Sequence, residues 1–257
     1  MSEALAAQPS AMPLLEVADI TKVFGGIQAL SGVSLSVHPG ELLCIVGPNG
    51  CGKTTLFNVI SGALRPDDGS IHFRGENTGA MKVHEISRLG IGRKFQVPGI
   101  FAELSAADNV RAALSAGKAR GAFGLMLLQR QEDEVQAILD LVSLGSRAEV
   151  PAGELAHGEK QWLEIAMVLA GKPKLILLDE PTAGMSGAET AATADLIRRI
   201  AAETAAAIIV IEHDIQFVRR LDCPVVVMMK GQVLRRGTYA EISADPAVRE
   251  AYLGKRA

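Results

Sequence analysis

Lys53, Thr54 and Thr55 close the run Gly47-Pro48-Asn49-Gly50-Cys51-Gly52-Lys53-Thr54-Thr55. It fits the pattern G-x-x-x-x-G-K-S/T, in which a turn of bare backbone N–H groups surrounds a phosphate. Glycine allows the positive φ of such a turn and lets the backbone approach the anion with no Cβ in the way. Lys53 can reach the β- and γ-phosphates of a nucleotide, and the Thr54 hydroxyl is a ligand type for Mg²⁺. A second set of reactive groups stands far downstream. Asp179 and Glu180 end the apolar run Leu175-Ile176-Leu177-Leu178, and Glu212-His213-Asp214 ends another. Asp179 can hold the water shell of a Mg²⁺ carried on Thr54, and Glu180 is placed to polarise an attacking water. An imidazole at His213 can reach a terminal phosphate, although a lone histidine at such a place is more often structural.

These groups need a scaffold that brings them to one edge. Residues 41–46 form a short apolar run of strand type, and Leu56, Val59 and Ile60 recur at helical spacing. The loop therefore joins a strand to a helix whose N-terminus faces the anion. Residues 175–178 and 205–211 are continuous apolar runs, the pattern of parallel strands buried on both faces. In a doubly wound sheet, ligands bind at the C-terminal edge of such strands. Strands are also expected over residues 14–24, 33–37, 70–74, 91–95, 224–229 and 232–235. A helix is expected over 188–203, and short helices over 239–253. From Ser105 to about Gly171 strand patterns vanish and apolar residues fall at helical spacing. Residues 117–129, with Gly121, Gly124 and Leu125-Met126-Leu127-Leu128, read as an irregular connection between two helices, its apolar group either buried locally or a contact patch.

At 257 residues, with net charge −3 and 48% hydrophobic residues, the composition is that of an α/β protein with a substantial core. No dense basic block is present, which disfavours nucleic acid as a partner. No apolar run reaches the ~20 residues of a membrane span, and no signal-peptide pattern opens the chain. Cys44, Cys51 and Cys223 are isolated and lack metal-ligand spacing, so free thiols in a reducing, cytoplasmic compartment are expected. Residues 1–13, rich in Ala, Ser and Pro, are expected to form a flexible tail, with 14–257 as a single domain. Phe24, in Lys22-Val23-Phe24-Gly25-Gly26, is either an adenine-stacking ring or a core residue.

Taken together, these residues resemble the ATP-binding cassette family over nearly the whole chain. The resemblance implies a P-loop NTPase α/β fold: a mostly parallel sheet core, an antiparallel β subdomain, and a helical subdomain inserted at about 97–171. It places Phe24 at the adenine-stacking position and Gly47, Asn49, Gly50, Cys51, Gly52, Lys53, Thr54 and Thr55 around ATP. Gln96 becomes the glutamine that links nucleotide and Mg²⁺ to the helical lobe. Leu155-Ala156-His157-Gly158-Glu159 lies at the signature position, where a second cassette's nucleotide is received. Asp179 and Glu180 are the Mg²⁺ and catalytic pair, Ala183-Gly184-Met185-Ser186 the dimer-contact loop, and His213 the switch histidine.

Finer features, among them Gly90-Ile91-Gly92-Arg93-Lys94-Phe95-Gln96 and His157-Gly158-Glu159-Lys160-Gln161-Trp162, are similar to ATPases of bacterial importers for branched-chain amino acids, amides or urea. Lys94 and Trp162 look closest to the urea-type member. The resemblance implies ATP hydrolysis with ATP and Mg²⁺ at the cytoplasmic face of the inner membrane. Its partners would be a second ATPase subunit, usually a paralogue in that branch, two membrane permeases and an extracytoplasmic solute-binding protein. Two positions depart from the family pattern. Ala156 replaces the signature serine, and Ser186 stands where many cassettes have Asp. Cys51 occupies a slot more often Ser or Ala, where a bulky adduct would block the anion site.

Overall fold

The computed structural model describes residues 12–94, 99–115 and 125–253, with backbone alone over 125–130 and 250–253. Two sheets divide its strands. β1 (Leu15–Phe24) and β2 (Ile27–Val37) form a long antiparallel hairpin. β3 (Leu42–Val46) leads into the phosphate loop and α1 (Lys53–Ile60), after which β4 (Asp68–Phe73) and β5 (Glu76–Asn77) rejoin the hairpin. That antiparallel sheet has the order β2-β1-β4-β5. The chain continues through α2 (Val83–Leu89), for which the residue pattern raises no expectation, and β6 (Ile91–Lys94). Next come the helices α3 (Ala106–Ser115), α4 (Leu125–Leu141) and α5 (His157–Ala170). β7 (Leu175–Asp179), α6 (Gly187–Glu203), β8 (Ala207–Ile211), α7 (Ile215–Leu221), β9 (Val225–Met229), β10 (Gln232–Gly237), α8 (Tyr239–Ala244) and α9 (Pro246–Leu253) complete it. The second sheet runs β10-β9-β3-β8-β7-β6; it is parallel from β9 to β6, with β10 antiparallel at the edge.

Alternate residues of the central strands enter two different cores. Cys44, Val46, Ile176, Leu178, Ile208 and Val210 pack with α3, α5, α6 and α7, while Leu43, Ile45, Leu175, Leu177, Ile209 and Ile211 pack with α1 and the antiparallel sheet. A strand covered on both faces must be apolar at every position, which is why 175–178 and 207–211 carry no alternation. Each fully buried Leu, Ile or Val stabilises the fold by about 1.5–3 kcal/mol relative to exposure.

Register sets the height of the reactive groups. Ile45 of β3 and Asp179 of β7 both pair with Ile211 of β8. Gly47, Glu180 and His213 therefore follow their strands at nearly one level.

The described residues of 105–171 carry α3, α4 and α5, as expected, with one isolated bridge among them, Ser105 to Pro151. Fully buried Asn109 organises the loop before α3: it accepts the Phe101 N–H at 2.7 Å and donates to Phe101 O at 3.0 Å and Ser105 O at 2.9 Å. One expectation is corrected. Leu125-Met126-Leu127-Leu128 does not belong to an irregular connection but opens α4. Gly121 and Gly124 obscured that start, because glycine weakens helical patterning up to the position where it stops. The connection itself, and residues 1–11 of the tail, lie outside the described residues.

A buried ion pair joins β6 to α5. Lys94 Nζ lies 3.1 Å from Glu164 Oε2, and both residues are at most 6% exposed. Both Glu164 oxygens lack a hydrogen-bond partner. A cavity of about 360 Å³ opens beside the pair, walled also by Ala113, Met167, Val168 and Pro173.

Candidate functional site

The phosphate loop turns where its glycines allow. Gly52 caps α1 with φ 105°, and a Cβ there would meet Ala29 O of β2 at 2.5 Å. A Cβ on Gly47 would stand 2.3 Å from Met228 O of β9. Either substitution forces backbone apart. The loop is tied from behind, since Gly231 N–H donates to Cys51 O at 3.0 Å. Lys53 is buried, its ammonium donating to Gly47 O at 2.8 Å and Pro48 O at 3.1 Å. The charge is thus held within the loop, among carbonyls that a phosphate oxygen would replace.

Asp179 is 3% exposed at the end of β7. The Thr54 hydroxyl lies beside its carboxylate and lowers its pKa, so the loop meets the acidic edge. Its Oδ2 is buried and accepts no hydrogen bond, with Arg93 Nη2 3.6 Å away. Burial pushes the Asp179 carboxyl above its usual range, Arg93 opposing the shift and Glu180 adding to it. Among the described residues no group of three or more His, Cys, Asp or Glu could hold a metal. A hydroxyl and one under-satisfied carboxylate are the donor set of Mg²⁺, which takes its remaining ligands from phosphate and water. The residues fit that ion.

Glu180 sits in the left-handed region, φ 47°, its N–H donating to Ile211 O at 3.0 Å. Its Oε1 is 3.7 Å from His213 Nδ1, and the imidazole is 58% exposed. The two residues face one another at the strand edge, so His213 is not packed away as a core histidine. Phe24 is also on the surface, 44% exposed at the β1–β2 turn beside exposed Val23 and Ile27, with Lys22 Nζ 5.6 Å from its ring centre. The core reading of Phe24 is excluded. Gln96 lies outside the described residues.

Ala156, His157, Gly158 and Glu159 begin α5. Ala156 offers no side-chain cap; instead Glu159 accepts the Ala156 N–H at 2.9 Å and is itself held by Arg147 at 3.1 Å. Among the described residues no hydrogen bond or ion pair joins this segment to the phosphate loop. It is tied to the segment after Glu180, where His157 Nε2 lies 2.9 Å from Ala183 O.

Three groups escaped the sequence reading. Arg93 donates to Asn58 Oδ1 at 2.7 Å and Ser61 Oγ at 2.9 Å while facing Asp179, so it braces α1 against β7. Glu212 is fully buried, accepting from Thr182 Oγ at 2.6 Å, Thr182 N at 3.1 Å and His213 N at 3.1 Å. It clamps the Glu180 and His213 turns together. Glu189 contacts both Ser186 and Gly158. Apart from Ser186 and Glu189, an S-x-x-E pair that starts a helix, these partners lie far apart in the chain and no local spacing announces them.

Cys44 and Cys51 are buried and Cys223 is partly buried. Cys51 is 4% exposed and points into the loop, 3.9 Å from Lys53 Nζ. Burial raises Cys44 well above the usual thiol range and Cys223 to about 12. Maleimide at neutral pH is expected to label the native chain slowly and all three thiols after unfolding, read by intact mass. An unfolded thiol ionises before these two do, so stability falls as pH rises from about 9 towards 12.

Residues 30–183 match the family model described as ABC transporter, and residues 236–257 match one described as branched-chain amino acid ATP-binding cassette transporter. The chain is 36% identical to the high-affinity branched-chain amino acid transport ATP-binding protein BraF of Pseudomonas aeruginosa, covering 95% of this chain and 98% of that protein. It is 33% identical to LivG of Escherichia coli K12, of the same description, with the same coverage. It is 34% identical to the lipopolysaccharide export ATP-binding protein LptB of Acidithiobacillus ferridurans, covering 94% and 97%. Among solved structures, the ADP conformation of MJ1267, an ATP-binding cassette of an ABC transporter, superposes with TM-score 0.82 at 29% identity, covering 95% of this chain and all of that one.

Proposed function

Because this chain belongs to the ATP-binding cassette family of transporter ATPases, we propose that it is the ATP-hydrolysing subunit of an importer for branched-chain or similar aliphatic amino acids. The observation that carries the solute class is the match of residues 236–257 to the branched-chain model, since identity alone reaches LptB almost equally. No helix among the described residues is long and apolar enough to cross a membrane. In this reading the permeases are separate polypeptides that hold this chain at the cytoplasmic face, fed from outside by a solute-binding protein.

In this reading Phe24 stacks on adenine, and the N–H groups of residues 47–55 with Lys53 hold the phosphates. Thr54, Asp179 and Gln96 hold Mg²⁺, which when bound neutralises charge on the β- and γ-phosphates. Glu180 orients the attacking water and takes its proton as the bond to the γ-phosphorus forms and the bond to ADP breaks. His213, opposite Glu180, binds the γ-phosphate. The site is completed by the start of α5 from a second cassette, whose helix N-terminus favours the phosphate charge. Two cassettes pair head to tail, ATP closes them, and hydrolysis releases them. Ala156 withholds one hydroxyl from the partner's nucleotide, a loss of about 1–3 kcal/mol there. The loss falls on both nucleotides if the partner is a copy of this chain and on one if it is a paralogue, the usual partner in the branch this chain resembles.

The test joins purification to uptake. A tag on this chain is expected to retain polytopic membrane proteins and a second cassette. Its deletion is expected to abolish high-affinity uptake of leucine, isoleucine or valine; amides and urea enter the same assay. Retention of DNA or ribosomes instead, with uptake intact, overturns the reading.

A further inference from the structure

α5 and α6 begin against one another, and one carboxylate serves both beginnings. Glu189 Oε2 accepts the Ser186 N–H at 2.8 Å and the Ser186 hydroxyl at 2.7 Å, capping α6. The same carboxylate stands against Gly158 in the first turn of α5, near enough for the helix N-terminus to help lower its pKa. A Cβ on Gly158 would stand 3.1 Å from Glu189 Oε1, so the absence of a side chain lets the carboxylate come this close. Beside it, the His157 ring reaches Ala183 O and lies 3.2 Å from where a Cβ on Gly184 would be. Residues 156–158 and 183–189 are thus joined within one chain by two independent contacts.

We propose that Glu189 is a positioning residue whose carboxylate, standing against Gly158, competes with the terminal phosphate presented by a second cassette, and so sets the ATP concentration at which the pair closes. The inference rests on the proposed function, in which the start of α5 receives the partner's nucleotide. Two anions at one helix end repel each other. A phosphate arriving at Gly158 must therefore turn the carboxylate away. The carboxylate also holds Ser186, so its departure loosens the cap of α6. Phosphate arrival at one segment is thereby passed to the segment that follows Glu180.

The test uses the complex retained from membranes through a tag on this chain. Glu189→Gln keeps the shape and removes the charge; the KM for ATP is expected to fall roughly three- to ten-fold, with kcat changing less. Glu189→Asp keeps the charge but withdraws it by one methylene from both Gly158 and Ser186, so KM falls in the same direction. A carboxylate that only caps α6 gives the opposite sign, with lower thermal stability and KM unchanged or raised. That result in either folded variant overturns the inference. A tag that retains no second cassette and no membrane protein refutes the proposed function itself, whereas a retained complex whose KM is unchanged in both variants refutes the role of Glu189 alone.

Discussion

Glu180→Gln is expected to lower ATP turnover by at least about 100-fold and to hold the protein as a closed, ATP-bound pair. The amide keeps the size of the carboxylate and can still sit opposite His213, 3.7 Å away in the native chain. It cannot accept the proton of the attacking water. Nucleotide binding should survive, because the groups that hold phosphate belong to the loop after β3 and to α1, not to Glu180. Closure then proceeds and release does not. Phosphate release measures the first effect, and sedimentation of the complex with Mg²⁺ and ATP measures the second. Full turnover in this variant removes Glu180 from the proton-transfer role.

Lys94→Met is expected to cost about 3 kcal/mol of folding stability, which for a chain of this size lowers the melting temperature by roughly 6–12 °C. Lys94 and Glu164 are both nearly inaccessible, and neither Glu164 oxygen accepts a hydrogen bond. Removing the cation leaves a carboxylate inside the protein with little to compensate its lost hydration. Adding Glu164→Met should restore most of the stability, because an apolar pair avoids the desolvation altogether. Denaturant unfolding of both single variants and the double variant closes the cycle. Additive losses would mean that the two residues do not depend on each other.

The loop, its flanking strand and helix, and the acidic strand edge were legible in the residues because each is local. A glycine pattern, a continuous apolar run and a terminal carboxylate need no distant partner to be recognised. Phe24 was not settled that way, since a lone aromatic beside two glycines is more often core than a stacking ring. Its exposure at the hairpin turn decides it. Arg93, Glu212 and the Lys94–Glu164 pair were invisible for the opposite reason. Asp179 and Arg93 meet only because β6 lies beside β7, and Thr182 meets Glu212 only because β7 lies beside β8. The sheet order that creates those contacts is a property of the whole chain, and no window of sequence contains it.

The left-handed backbone at Glu180 gives the site an adverse position in sequence space. Any side chain other than glycine, and to a lesser extent asparagine, carries about 1 kcal/mol or more of conformational strain at φ 47°. Selection for heat resistance alone would therefore drive this codon away from glutamate, towards residues that relax the turn and cannot accept a proton. Variants enriched by such a screen would melt later and turn over nothing. Glutamate persists at that turn only while hydrolysis is among the traits being selected.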